Sequence, residues 1–410
     1  MRISLILFLC LLVSCELPSI FNGKKRGSSS TPDTNGDDGG NTDTPETVEA
    51  PNSLTLSFPS SSPSLHRSPK IVVAGIASGD AVKLYNDSLC SNLIGSGTSS
   101  GTSITILSDT LSVGNTNFYA KTTTASGIVS KCSSATLNYT VNNCPTDKGV
   151  YIHIPGNADY EDADFCVAKY EMKDVAGTAT SQVALTPSVS INKADAISEC
   201  TELGTGYNLI SNTQWQTIAR NIELVPSNWE NGVIGQDKLN TGHSDNNPTS
   251  ICDASVVNVT TNCSTLDTDF KQKRTHTLSN LEVIWDFSGN VNEWVKDDNS
   301  AGVQYHTGSI NIYALTSTSP TATGSLDDGV NRAAKGQFGP TGDYSTTLNS
   351  IPYGGLGGID NPHLASGTNN SIYRGSSRGS GAQASGIFAA GITASSSAFN
   401  TLGFRCVFSD

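Results

Sequence analysis

The sequence has no basic cluster interleaved with aromatic residues. Lys and Arg number 24 against 37 Asp and Glu, a formal net charge of -13. A nucleic-acid partner is excluded on that ground, because phosphate binding needs a positive footprint. Cys-x-x-Cys and His-x-x-x-His spacings are also missing, so a zinc site has no support. The apolar run Ile3 to Val13 is too short to cross a bilayer as a mature anchor. What is present is a chain of 410 residues, 36% hydrophobic and 15% charged, with 39 glycines. That length suits two or three domains, and the composition gives core-forming material with a loop-rich character.

The N-terminus reads as a secretion signal, with Arg2 supplying the charge and Ile3 to Val13 the apolar segment. Leu12-Val13-Ser14-Cys15 resembles the lipobox of bacterial lipoproteins, in which the cysteine is lipidated and becomes the first mature residue. Residues 1–14 are then a signal peptide, and the mature chain is held to a membrane through acyl chains on Cys15. It would lie in the cell envelope outside the cytoplasm, at the outer membrane or cell surface. Lys24-Lys25-Arg26 would favour an anionic membrane surface. The rest of 15–50 is Ser, Thr, Gly, Pro and acid, a flexible stalk that cannot bury enough surface to order itself. Eight cysteines remain in the exported part, and their even number points to disulfides.

Residues 51–142 read as an all-β domain. Lys70–Ala74, Ala81–Tyr85, Ser103–Leu107 and Asn117–Lys121 are short β-branched or alternating runs divided by turn residues. They resemble the immunoglobulin-like sandwich modules that serve bacterial surface lipoproteins as spacers. Cys90 and Cys132 are the only cysteines there and are expected to pair. Beyond Cys144 the pattern changes. Phe165 to Met172 reads as a strand, and Cys144 can pair with Cys166. A helix is expected over 192–203, entered from Ser190, closed by Gly204, with Ala194, Ile197 and Cys200 inward. A second helix starts at Ser211, where Gln214 completes a capping box. Its residues Trp215, Ile218, Ala219 and Ile222 form one apolar face. Cys252 and Cys263 can staple the polar loop that follows. Leu402 to Phe408 is expected to be the closing strand.

The organising stretch is Ile284 to Trp294. Gly289-Asn290 signals a tight turn, and Asp286 and Glu293 bracket it, so their carboxylates could converge with backbone carbonyls on a hard cation. The six histidines show no ligand spacing and read as solvated or satisfied loop residues.

Four ordered motifs carry a family resemblance. Leu209–Arg220 resembles the helix motif of formylglycine-generating enzyme (sulfatase-modifying factor) domains, and Trp285–Trp294 resembles their calcium-binding turn. Tyr373-Arg-Gly-Ser-Ser377 and Gly403-Phe-Arg-Cys406 resemble their C-terminal signatures. The resemblance implies an α+β, C-type-lectin-like fold over 143–410. It also implies a Cys200–Cys406 disulfide and a structural calcium on the Asp286 and Glu293 side chains with the Gly289 and Val291 carbonyls. The oxidase chemistry does not carry over. Ser380 and Ser385 stand where the family's paired cysteines would fall, and no cysteine lies between 264 and 405. Serine is a poor soft-metal ligand and forms no mixed disulfide, so neither copper nor iron is expected. The related iron-dependent sulfoxide synthases need a histidine-bearing helical domain, and the six histidines here show no such spacing. No catalytic residue is assigned.

Residues 376–400 are rich in Ser, Gly and Ala, and small polar residues on a rigid scaffold suit adaptable recognition. The segment also resembles the variable region of lectin-fold lipoproteins diversified by retroelements. That resemblance implies a non-catalytic head that meets an external protein or glycan through Ser377, Arg378, Ser380, Gln383, Ser385, Phe388 and Ser395. The alternatives are a metal-dependent sulfatase-modifying oxidoreductase with displaced chemistry and a purely structural envelope protein.

Overall fold

The computed structural model describes residues 47–159, 163–236, 239–244, 273–298, 339, 359–360, 370–380 and 385–410. Cys15, Cys252, Cys263, Gln383, His306 and His363 lie outside the described residues.

The first part of the described chain is strand throughout: β1 (Ser53–Phe58), β2 (Lys70–Ala74), β3 (Ala81–Tyr85), β4 (Leu93–Thr98), β5 (Ser103–Leu107), β6 (Gly114–Thr123) and β7 (Leu137–Val141). They make a three-stranded sheet, β1-β2-β5, and a four-stranded one, β4-β3-β6-β7. Alternation explains the arrangement. Ile71 and Val73 of β2, and Val82 and Leu84 of β3, turn inward and join Phe118 and Tyr139 in one buried cluster. Cys90 and Cys132 form a disulfide there.

The remainder is β-rich with two helices among the described residues. Its elements are β8 (Tyr151–Ile154), β9 (Phe165–Ala168), β10 (Met172–Val175), β11 (Thr178–Ser181), α1 (Lys193–Thr201), β12 (Tyr207–Leu209) and α2 (Asn212–Glu223). There follow β13 (Thr275–Thr277), β14 (Val283–Trp285), β15 (Asn292–Asp298), β16 (Ile359–Asp360), β17 (Asn370–Arg374), β18 (Ala390–Ala394), β19 (Leu402–Phe404) and β20 (Cys406–Phe408). Two sheets dominate, ordered β12-β20-β9-β8 and β16-β18-β17-β15-β19.

Helix α2 matches its sequence pattern. Ser211 accepts from the Gln214 amide, Gln214 reaches back to Ser211, and Trp215, Ile218, Ala219 and Ile222 are fully buried. Helix α1 differs by a small rotation. Asn192, not Ser190, is its N-cap, and the buried positions are Lys193, Ala196 and Cys200, while Ala194 is exposed. The Cys200–Cys406 disulfide ties the helix to β20 and fixes that face. Cys144–Cys166 is the third bridge.

Two runs expected to be single strands are broken. The chain leaves β9 after Ala168 and re-forms as β10 at Met172, in another sheet. The C-terminal run splits at Arg405, with β19 in one sheet and β20 in the other. Both interruptions carry charged side chains inward, Glu171 and Arg405.

The first β module is locked to the rest by the segment after β1. Leu65 belongs to the core cluster of the C-terminal part. His66 Nδ1 lies 2.9 Å from Asp164 Oδ1, and His153 Nε2 lies 2.8 Å from Oδ2. Asp164 also accepts from the Arg67 amide at 3.0 Å and the Gly156 amide at 2.9 Å. A carboxylate only accepts, so both ring nitrogens carry their proton towards it. Burial alone would raise the Asp164 carboxyl. Hydrogen bonds from His153, His66 and Gly156 outweigh it and hold the group well below the usual carboxylate range.

Asp164→Asn is therefore expected to cost about 3 kcal/mol, because its amide would face a histidine N–H and one partner would be orphaned. The pH sign follows from the lowered native value. The stability supplied by Asp164 is complete above the unfolded carboxyl value near pH 4 and is lost as pH falls towards the depressed native one. Urea melts of wild type and Asp164→Asn between about pH 3 and pH 7 check this. The gap between them should narrow as pH falls.

Candidate functional site

Asp286 to Glu293 forms the tight turn between β14 and β15. Gly289 (φ +80°), Asn290 (φ +61°) and Asp286 (φ +52°) all adopt left-handed conformations. At position 289 glycine is obligatory, since a Cβ would sit 2.5 Å from the His243 amide nitrogen. The turn is seated on α2 by Phe287, whose ring stacks on Trp215 at 3.9 Å. Its backbone is fixed by His243, which accepts from the Asn290 amide at 2.8 Å.

Six charged groups surround this turn. Asp286 receives a two-pronged bond from Arg274, with Nε at 2.7 Å from Oδ1 and Nη2 on Oδ2. Glu293 receives Arg405 Nε at 3.0 Å on Oε2 and Nη2 at 2.7 Å on Oε1, with both side chains fully buried. Arg405 also donates to the Ala168 carbonyl at 2.8 Å and the Trp285 carbonyl at 2.9 Å. Glu171 accepts from Asn290 Nδ2 and from the Val291 amide at 3.2 Å. Burial and the nearby Asp286 charge push Glu171 up to about 8. Lys173 donates to the Glu171 carbonyl at 3.0 Å, and burial pulls its ammonium below the ordinary lysine value. Burial likewise raises Glu293, against the opposing charge of Arg405.

The residues assigned to calcium are thus brought onto one turn, but each carboxylate already faces a guanidinium. Among the described residues no group of three or more acidic, histidine or cysteine side chains is placed to hold a metal ion. In this arrangement calcium on Asp286, Gly289, Val291 and Glu293 would require Arg274 and Arg405 to move off the two carboxylates. The sequence reading missed Glu171, Lys173 and Arg274. The available signal was a charged residue inside an apolar run, as at Glu171 between Tyr170 and Met172.

The turn also holds the loop between β17 and β18. Ser376 Oγ accepts from the Gly289 amide at 3.0 Å, and the Arg378 amide donates to the Asn290 carbonyl at 2.9 Å. Within the loop the Ser377 amide donates to Ser380 Oγ, and the Ser380 amide to the Ser377 carbonyl, both at 3.0 Å. Arg378 is exposed and Ser380 half-buried on this pinned backbone.

The other expected ligand residues separate. Ser377 and Ser385 are buried, and Phe388 belongs to the main core cluster. Hence Phe388 is a packing residue, not a contact for an external partner. Ser395 follows β18, and its carbonyl accepts from the Lys193 amide at the start of α1. Arg374 pairs with Ala390 and Asn370 with Ala394, so Arg378 and Ser395 leave opposite ends of one strand pair. That separation is about 13 Å at the usual rise per residue. Of the four described histidines, all are buried. His276 sits in β13, where burial pushes it down to about 4, and His66 and His153 flank Asp164; none is a solvated loop residue.

The family model of the sulfatase-modifying factor enzyme 1-like domain matches residues 115–409. No curated protein matches the chain. Among solved structures the chain is similar to PvdO from Pseudomonas aeruginosa, with 12% identity and a TM-score of 0.31 over 64% of this chain and 92% of that one. It is also similar to Treponema denticola variable protein 1, with 13% identity and a TM-score of 0.29 over the same shares.

Proposed function

The chain belongs to the family of sulfatase-modifying factor enzyme 1-like domains, and from that membership we propose that its C-terminal part is a non-catalytic head that binds an external protein or glycan. The supporting observation is the loop after β17. Its backbone is fastened to a buried turn, while Arg378 and Ser380 remain accessible at its surface. A rigid frame that carries small polar side chains loses little entropy on binding, and the side chains can change without disturbing the frame. The serines in this loop bond to each other and to backbone, which fits a scaffold role better than thiol chemistry. In this reading β1–β7 form an immunoglobulin-like spacer, and the chain is exported and lipid-anchored through Cys15. The turn that supports the loop is held together by Arg274 and Arg405.

The test is to probe glycan and protein arrays with the full chain and with Arg378→Glu, whose side chain is exposed and outside the serine bonds that fix the loop. The expected result is a saturable hit that weakens at least about tenfold in the variant while the melting temperature stays within about 2 °C of wild type. Absence of any saturable hit, or hits indifferent to the substitution, would overturn the proposal.

A further inference from the structure

A cleft of about 190 Å³ opens beside the turn, and none of the described residues of the β17–β18 loop line it. Tyr170 and Trp285 form an aromatic wall, with ring centroids 5.9 Å apart. Val183 and Leu185 stand at its rim, 50% and 62% exposed. Lys173, Arg274 and Asp286 complete the lining that matters for charge.

Three carboxylates and three cations lie in and behind this cleft, but only two of the pairs are in direct contact. Arg274 is taken up by Asp286, and Arg405 by Glu293. Glu171 spends its oxygens on Asn290 and Val291. Lys173 is left with a single described hydrogen bond, to a neutral carbonyl, although an ammonium has three protons to donate. It is only 4% exposed, so bulk water does not readily serve the other two. Among the described residues no carboxylate lies within 4 Å of its nitrogen. A second mark of a binding site is strain. Of seven described non-glycine residues with left-handed φ, three line this cleft: Leu185, Asp286 and Asn290. Such conformations cost free energy and cluster where ligands are held.

We propose that the cleft binds a small organic carboxylate with a flat or apolar body, seated against Tyr170 and Trp285 with its charge on the Lys173 ammonium. The carboxylate supplies a directly bonded anionic acceptor beside the Glu171 carbonyl and the Glu171 and Asp286 charges that already act on Lys173, and the body covers the exposed apolar rim. This site does not rest on the reading of the β17–β18 loop.

Benzoate is the probe, with benzamide as its neutral isostere, titrated into the full chain by calorimetry and by quenching of tryptophan fluorescence. Saturable benzoate binding with Kd on the order of 1 mM or tighter is expected, with benzamide at least about tenfold weaker. Lys173→Met should abolish benzoate binding. Since that substitution falls at a buried position, Val183→Glu provides a second reading at an exposed one. It should keep the wild-type melt and weaken benzoate at least about fivefold through like-charge repulsion. Benzoate that fails to saturate, benzamide that binds as well, or binding unchanged in folded Val183→Glu would each overturn the proposal.

Discussion

Replacing Arg405 with methionine is expected to lower the stability of the native state by about 3–5 kcal/mol, a fall of about 10 °C in melting temperature. Arg405 and Glu293 are both fully buried, so the substitution strands a carboxylate in the interior and removes the donors from the Ala168 and Trp285 carbonyls. The orphaned Glu293 escapes by taking up a proton. A group protonated in the native state and ionised in the unfolded chain makes stability fall as pH rises, so the defect should deepen from about pH 5 to pH 8. Replacing both partners, Glu293→Met with Arg405→Met, should recover part of the loss, since an apolar pair leaves no buried charge behind. Chelation of the wild type should leave its melt unchanged, because the arginines already supply the positive charge at this turn. Urea denaturation followed by tryptophan fluorescence reads all of these. A loss under about 1 kcal/mol for Arg405→Met would mean that the pair is solvated and the buried geometry wrong.

The second large effect belongs to the Cys200–Cys406 bridge. It closes a loop of 206 residues, against 42 for Cys90–Cys132 and 22 for Cys144–Cys166. In the chain-entropy account those lengths correspond to about 5, 4 and 3 kcal/mol removed from the unfolded state. Paired alanine substitutions should therefore rank in that order, with Cys200→Ala/Cys406→Ala the most harmful. The structure gives a further reason for the ranking. Helix α1 is short, and Cys200 lies on its buried face, so the bridge fixes both its position and its rotation. If removal of Cys144–Cys166 were the costliest, local packing and not loop closure would govern the bridges.

Much of the frame was legible in the sequence because its signals are local. Helix α2 is written in a capping box and an i, i+3, i+4, i+7 face, and Gly289-Asn290 announces its turn directly. The Cys200–Cys406 pair came from the family resemblance alone, since nothing local connects residues 206 apart. The electrostatics were not legible for the same reason. Asp286 looks like a cation ligand until Arg274 is placed beside it, and Asp164 has no meaning until His66 arrives from 98 residues away. The run Leu402 to Phe408 reads as one continuous strand because its residues are mostly apolar with one charge at Arg405. In the fold that charge faces inward and the run divides between two sheets. Phe388 was misread on similar grounds, an isolated aromatic among small residues looking exposed when it fills the core.

The segment from Ser64 to Arg67 has a mechanical consequence. Ser64 and the Asn142 amide share a backbone bond at 2.8 Å, Tyr139 donates to the His66 carbonyl at 2.6 Å, and the same few residues grip Asp164 and Asp410. A pull that tries to part the β1–β7 module from the head is carried by this clasp as well as by the peptide link at 142–150. Several bonds must then yield together, in shear, before the two halves can hinge. Under tension the β1–β7 strands and the C-terminal part should therefore resist hinging at this clasp, and the β17–β18 loop should keep its orientation relative to β1–β7.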